Sequence, residues 1–119
     1  GMVLRDGVPE VVLGCIGLNN HPQGIVQTLV NVLDLGMNPQ QAVDAPRFRV
    51  VMTTDELQLD PGIPEQVGFD LAARGHRLGD PTGFKGAAQM VRIRRGEAGV
   101  GPCLESGVDH RLDAVALGW

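Results

Sequence analysis

The residue types that most often carry out chemistry are scarce and scattered in this sequence. Each of the three histidines, His21, His76 and His110, lacks a second histidine or cysteine at the spacing of a metal site. We therefore expect no metal ion. No segment has the spacing of a phosphate-binding or dinucleotide-binding loop, so we expect no cofactor either.

The candidate nucleophiles lack partners that would activate them. Ser106 is the only serine, and nothing near it supports a triad with His76 or His110. The threonines are all internal, so none can use its own α-amino group as a base. Cys15 has apolar neighbours, where a thiol is more often a small buried side chain than a nucleophile. A hydrolase that uses Cys15 or Ser106 is the least favoured hypothesis.

The segment of greatest chemical interest is a loop at residues 14–24, which contains three glycines. It connects a predicted buried strand to a predicted helix, where backbone N–H groups can hold an anion or an oxyanion. Glycine is also the common residue of tight strand-to-helix connections. The loop alone therefore predicts a turn more often than a binding site.

Short local signals predict a hairpin before this loop and two helices after it. Asp6-Gly7 between apolar segments is typical of a two-residue β-turn within residues 3–13. Ile25 to Leu35 is predicted to be a helix with protein on nearly all sides, because its polar stripe is narrow. A second helix is predicted to begin with a capping box at Asn38-Pro39-Gln40-Gln41 and to end before Pro46.

The rest of the chain predicts strands and one further helix. Strands are expected at residues 47–52, 56–60, 76–78, 87–93 and 103–104, and a helix at 64–74. This mixed order indicates an α+β or layered α/β fold. We expect a single domain over residues 1–119. An ion pair between Asp44 and Arg47 is expected to hold the exit of the second helix.

Composition excludes several kinds of partner. The net charge of -4 and pI near 5.2 argue against nucleic acid or an anionic membrane surface. The one basic run, Arg92, Arg94 and Arg95, is short and lies in a predicted strand. No segment approaches the roughly 20 apolar residues of a membrane span. Two cysteines make no disulfide framework, and the sequence shows no signal peptide, so we expect a cytoplasmic location.

A longer pattern resembles a known family. The segment NVLDLGMNPQQAVDAPRF, residues 31–48, is similar to the most diagnostic part of γ-glutamyltranspeptidases and related acylases, which are N-terminal-nucleophile hydrolases. Further similar segments lie on both sides of it, in the same order as in the family, at residues 6–7, 21–24, 59–64, 74–76, 86–89 and 109–119. The resemblance implies an α+β fold, a partial αββα sandwich whose sheet is mixed but mostly antiparallel.

The resemblance also implies roles for the glycine-containing loop. The oxyanion-hole glycine pair of the family corresponds to Gly17 and Leu18. Leu18 departs from the pattern, and its Cβ is expected to obstruct a close approach of the backbone to an oxyanion. The loop residues that are candidates for substrate contact are Asn19, Asn20 and His21.

The similar segments belong to the C-terminal part of the small, nucleophile-bearing chain of that family. The threonine that attacks γ-glutamyl amides such as glutathione lies upstream of them, so no catalytic residue is assigned and this chain alone is expected to be inactive. Its implied partners are the missing upstream chain or a second copy of itself, and a γ-glutamyl substrate only after complementation. The full-length family member can be periplasmic. The alternative hypothesis is a stand-alone, non-catalytic binding module that self-associates.

Overall fold

The computed structural model describes residues 1–83, 86–96 and 101–117. The chain opens with the predicted hairpin, formed by β1 (Met2–Arg5) and β2 (Val8–Ile16). Asp6 and Gly7 have φ values of 53° and 76°, the positive values that a two-residue hairpin turn requires. The hairpin prediction is confirmed.

Two helices follow, α1 (His21–Leu33) and α2 (Pro39–Asp44). Helix α1 begins four residues before the predicted start, because a proline is tolerated in the first helical turn. The predicted capping box of α2 is confirmed: the Gln41 N–H donates to Asn38 Oδ1 at 2.8 Å, and the Asn38 N–H donates to Gln41 Oε1 at 3.1 Å. None of the helices in the described part of the chain is long and apolar enough to span a membrane.

The remaining elements lie close to their predicted positions. They are β3 (Phe48–Val51), β4 (Glu56–Leu59), α3 (Glu65–Ala73), β5 (Arg77–Leu78), β6 (Ala87–Arg94) and β7 (Cys103–Val108). Strand β7 extends four residues beyond the predicted end. The connections at 79–86 and 96–101, where the sequence predicts neither helix nor strand, and the similar segment at 109–119 lie partly outside the described residues.

The strands form two sheets. The first has the order β1-β2-β6-β7 and is antiparallel throughout, while the second has the order β3-β4-β5 with β4 and β5 parallel. Helices α1 and α2 pack against the four-stranded sheet through a buried cluster of Val11, Leu13, Val32, Ala42, Val43, Ala88 and Met90. The α+β fold, with mostly antiparallel strands and helices, is confirmed.

Helix α1 is covered on one face only. Gly24, Thr28 and Val32 are buried against the sheet, whereas Val26 is 59% exposed and Val30 is 41% exposed. The prediction that protein surrounds this helix is wrong within the described residues. The apolar residues on its outer side are therefore only partly covered by the described part of the chain.

Candidate functional site

The glycine-containing loop leaves β2 at one end of the four-stranded sheet. Ile16, the last residue of β2, pairs with Ala87 at the start of β6, and one turn of 3₁₀ helix at Leu18–Asn20 then leads into α1. Gly17 has a φ of 153°, and a Cβ added to it would lie 3.0 Å from the Cα of Gly86. Both the backbone conformation and the tight packing therefore favour glycine at position 17.

Leu18 has a left-handed backbone conformation, with a φ of 50°. This conformation costs a residue with a Cβ about 1–2 kcal/mol. The side chain is 93% exposed and points away from the body of the protein. At position 18 the backbone therefore has a conformation that usually belongs to glycine, while the leucine side chain extends into solvent.

The 3₁₀ turn leaves donors available at this position. The Asn20 N–H donates to the Gly17 carbonyl at 2.8 Å, and the His21 N–H donates to the carbonyl of Leu18. For the backbone N–H groups of Leu18 and Asn19, the described residues provide no acceptor. Two adjacent donors at the start of a turn are the kind of group that can bind a developing negative charge.

The loop borders an open cavity of about 410 Å³. Its lining residues are Ile16, Gly17, Leu18, Asn19, Asn20, Arg49, Val50, Val51, Met52 and Thr53. The loop forms one wall, and β3 with the following turn forms the other. The cavity brings together four of the five predicted site residues; His21 is exposed and does not line it.

Two glutamines of α1 hold the second wall of the cavity in place. Gln27 accepts a hydrogen bond from the Phe48 N–H at 3.0 Å and donates to the Phe48 carbonyl at 2.9 Å. Gln23 makes the same pair of bonds to Val50, at 2.8 and 3.1 Å. The glutamines are four residues apart on the helix and bind residues two apart on the strand. Their amides thereby bind the free edge of β3 as a neighbouring strand would.

A buried ionic network lies beneath the loop. The guanidinium of Arg47 forms an ion pair with Asp109 in which both side chains are 1% exposed, and it also donates to the Gly86 carbonyl at 2.7 Å. Gly86 in turn packs against Gly17 and the Ile16 carbonyl. Arg47 thus supports the segment on which the loop rests.

The same network reaches the three-stranded sheet through Arg111. Its guanidinium donates to Asp109 at 2.9 Å and to Asp60 at 2.6 Å, and Asp60 also accepts from the Arg47 N–H at 2.8 Å. The expected ion pair between Asp44 and Arg47 is wrong. Asp44 instead contacts His110 at 3.0 Å, because Arg47 turns into the core and leaves Asp44 on the exposed side of α2.

The ionisation of Asp109 is set by opposing effects. Burial alone would raise its pKa, but hydrogen bonds from the Ala88 N–H, Arg47 and Arg111 together hold the pKa below the usual value. Asp109 is therefore charged at neutral pH, as the adjacent arginines require. The sequence did not predict this network, although a charged pair flanking a helix exit indicated that Arg47 had a structural role.

The other candidate nucleophiles lie in unsuitable surroundings. Burial raises the pKa of the Cys15 thiol, and its Sγ would be 2.9 Å from a Cβ placed on Gly24. Ser106 is exposed on β7 and makes no hydrogen bond to a histidine among the described residues. In that part of the chain no group of three histidine, cysteine or carboxylate side chains is placed to hold a metal ion.

Comparisons with known proteins identify the relatives of this chain. The sequence profile described as gamma-glutamyltranspeptidase matches residues 1–119. The glutathione hydrolase-like YwrD proenzyme of Bacillus subtilis is 30% identical over 124 residues, covering 98% of this chain and 23% of that proenzyme. An acylase ACY 1 proenzyme of Pseudomonas sp. strain SE83 is 38% identical over 77 residues, covering 65% of this chain and 13% of the proenzyme. The chain thus spans less than a quarter of either relative.

Solved structures extend the likeness to the fold. The gamma-glutamyltranspeptidase of Pseudomonas nitroreducens, complexed with L-DON, matches with a TM-score of 0.83 and 28% identity over all of this chain and 60% of that one. The cephalosporin acylase of Bacillus halodurans matches with a TM-score of 0.82 and 30% identity, covering 99% of this chain and 22% of that one.

Proposed function

The chain belongs to the gamma-glutamyltranspeptidase family, and from this we propose that it is the C-terminal part of an enzyme that transfers or hydrolyses γ-glutamyl groups. In this proposal the chain contributes the oxyanion-binding loop and the scaffold beneath it. The nucleophile comes from an upstream chain. The substrate class is a glutathione-like γ-glutamyl amide, which is supported by relatives described as glutathione hydrolases.

The observation that carries the proposal is the conformation of Gly17 and Leu18. The loop keeps positive φ values at both positions even though one is leucine, and the Leu18 and Asn19 N–H groups have no acceptor among the described residues. Strain of this kind persists only where the surrounding structure imposes it, and it is concentrated at functional sites. Here Gly86 and the Arg47 network below it supply that support.

The proposed chemistry places this loop at the carbonyl oxygen of the substrate. An upstream threonine hydroxyl adds to the amide carbon and gives its proton to the α-amino group of the same threonine, while the carbonyl oxygen gains negative charge. The N–H groups of Leu18 and Asn19 donate to that oxygen. Its charge then returns as the C–N bond breaks, the proton passes to the departing amine, and the γ-glutamyl ester is formed. Donors already oriented for the transition state are worth about 10²–10³-fold in rate.

The partner in this proposal is the upstream chain. The outer face of α1 presents exposed Val26, Val30 and Leu33, an apolar surface that a second layer of protein would bury. None of the threonines of this chain is a substitute nucleophile in the proposal. Thr28, for example, is buried and donates its hydroxyl to the Gly24 carbonyl at 2.8 Å.

A chimaera tests the proposal. The region of the Bacillus subtilis YwrD proenzyme that this chain matches is replaced by residues 1–119, and release of p-nitroaniline from γ-glutamyl-p-nitroanilide is measured. We expect activity from the chimaera and none from this chain alone. In the chimaera, Gly17→Ala should lower kcat by about 10²-fold through displacement of the donors, while Gly14→Ala, where a Cβ meets nothing within 4 Å, should not. Activity of this chain alone, or an unaffected Gly17→Ala chimaera, would contradict the proposal.

The second candidate function is a non-catalytic module that self-associates. The observation that favours it is Leu18 itself, since a fully exposed leucine beside an apolar cavity suits a protein contact. Sedimentation velocity separates the two candidates. The module predicts one discrete oligomer of this chain, whereas the enzyme part predicts heterogeneous association that the upstream chain suppresses. A stable monomer would contradict both.

A further inference from the structure

A pocket of about 250 Å³ lies at the other end of the four-stranded sheet. Four of the ten basic residues of the chain line it: Arg5, Arg92, Arg94 and Arg95. The pocket is about 20 Å from the glycine-containing loop, because Glu10 and Ile16 are six residues apart along β2. It is therefore separate from the site proposed above.

A β-bulge places a single carboxylate within this group. Val3 pairs with Val11 and Leu4 pairs with Pro9, so Glu10 is the extra residue of β2. Its carboxylate accepts from Arg5 at 2.8 and 3.3 Å and lies 3.8 Å from the guanidinium of Arg92. The hydrogen bond from Arg5 lowers the pKa of Glu10, with further lowering by the charges of Arg92 and Arg95.

The positive charge in the pocket is only partly neutralised. Arg5 is paired with Glu10 and Arg94 is paired with Glu105 at 2.9 Å, so among the described residues four cations face two carboxylates, an excess of two positive charges. Asp6, at the hairpin turn, acts on Arg5 only weakly. This local excess has the opposite sign to the net charge of -4 of the whole chain.

Among these four arginines, Arg92 has the weakest set of hydrogen-bond and ion-pair partners within the described residues. Its side chain is only 21% exposed, and within the described residues its guanidinium makes no hydrogen bond, having only the 3.8 Å ion pair with Glu10. Arg95 donates to the neutral carbonyl of Arg5 at 3.2 Å. Largely buried guanidinium groups are normally paired, and their planar donor sets match oxyanions bidentately.

We propose that this pocket binds a small tetrahedral oxyanion, phosphate or sulfate, between Arg5, Arg92 and Arg95. The anion neutralises the positive charge that the two carboxylates leave unbalanced, and the guanidinium of Arg92 donates to the anion directly. Glu10 orients Arg5 and at the same time competes with the anion for the guanidinium groups. The ligand is either the free anion or the phosphate of a phosphomonoester.

Equilibrium dialysis of radiolabelled inorganic phosphate tests this, with ionic strength held constant by chloride. We expect one saturable site per chain, and competition by glycerol phosphate shows whether a phosphomonoester is accepted. Arg92→Gln and Arg95→Gln should each weaken binding by at least tenfold. Arg77→Gln is the matched control, because Arg77 is paired at 3.6 Å with Glu56 at the far sheet, and it should bind normally.

Glu10→Gln provides the sharper test, since its expected effect on phosphate affinity is opposite to that of the arginine variants. Removing the competing charge should tighten phosphate binding several-fold. The proposal would be overturned by phosphate binding that is not saturable or that chloride displaces as effectively as phosphate itself. It would also be overturned if both Arg92→Gln and Arg95→Gln left the binding unchanged. Weaker binding by Glu10→Gln would overturn the competing role of Glu10.

Discussion

The two sheets of this protein are attached to the helix pair α1 and α2 by different kinds of interaction. The four-stranded sheet packs on α1 and α2 through apolar side chains such as Val11, Met90 and Val43, all almost completely buried. The three-stranded sheet contributes Leu57 alone to the buried apolar residues of the described chain. It is tied to the rest of the protein by the amides of Gln23 and Gln27 and by the ion pair of Asp60.

This difference accounts for the open space between the loop and β3. Apolar packing is non-directional and fills space, so it leaves little room between layers. Hydrogen bonds fix distance and direction without filling the space beside them. The 410 Å³ cavity therefore lies where the loop of the first sheet faces β3 of the second. Its width is set by the two glutamines rather than by a core.

A glutamine of a helix also pairs with an edge strand of the four-stranded sheet. Gln40 of α2 accepts from the Val108 N–H at 3.1 Å and donates to its carbonyl at 2.9 Å, on the outer edge of β7. Edge strands present unpaired backbone groups that favour aggregation. A glutamine side-chain amide has both N–H donors and a carbonyl acceptor, so one side chain can pair with the backbone N–H and the backbone carbonyl of an edge residue.

The largest expected effect comes from the network that joins both sheets. Asp109→Ala leaves the buried guanidinium of Arg47 without its carboxylate, and should lower the free energy of unfolding by about 3–5 kcal/mol. Urea denaturation measures this. Asp113→Ala, at an exposed position nearby, is the control and should change it by less than about 0.5 kcal/mol. A loss under 1 kcal/mol for Asp109→Ala would show that the two sheets do not depend on this pair.

The Asp109 network also predicts an acid dependence. The pKa of Asp109 in the folded protein is below its unfolded value of about 3.9. Its ionisation therefore stabilises the fold above that pH, and the stabilisation is lost as the pH falls through the folded pKa. The difference in stability between the native chain and Asp109→Asn should shrink below pH 4, and a constant difference would contradict the assignment.

The apolar attachment of the four-stranded sheet can be broken at Gly107. A Cβ there would lie 2.4 Å from the backbone of Pro39, so Gly107→Ala must displace α2 and should cost about 1–3 kcal/mol. Gly14→Ala in the same sheet meets no atom within 4 Å and serves as the matched control. Thermal unfolding of both variants measures the effect. Equal melting temperatures would mean that α2 adapts without cost.

The polar attachment of the three-stranded sheet can be broken at Gln27. Gln27→Leu removes both bonds to Phe48 and should cost about 1–2 kcal/mol. Hydrogen exchange should accelerate at the Phe48 and Val50 amides but not in β2. The control is Gln66→Leu on α3, whose amide bonds only the exposed Asp70. Uniform acceleration in both sheets would show that they open as one unit.

The smallest expected effect concerns the loop between the sheets. Leu18→Gly relieves the left-handed strain of the leucine but increases the entropy of the unfolded chain, so we expect a net stabilisation of about 0.5 kcal/mol. Asp55→Gly, at a similar φ of 55°, should gain less because aspartate tolerates this conformation. Destabilisation by Leu18→Gly would show that the exposed side chain makes a contact that supports the loop.

Much of the local structure could be predicted. The hairpin at Asp6-Gly7, the capping box at Asn38 and the helix near Pro64 depend on residues that are neighbours in sequence, and all three were found. The partners of Asp44 and Arg47 could not be predicted. Both charges lie within three residues of each other, but the direction in which Arg47 turns depends on β6 and β7, which are about 40 and 60 residues away.

The sequence by itself indicated the family and the role of the loop at Gly17 and Leu18, through segments that resemble those of known relatives. It also determined the element order, because turn, cap and periodicity signals act over a few residues. Only the tertiary structure decided that Arg47 and Asp109, 62 residues apart, form the buried pair beneath that loop. It also decided that one face of α1 is open and that a bulge brings Glu10 among four arginines. Burial and charge pairing are properties of surfaces that meet, and these surfaces do not exist until the chain has folded.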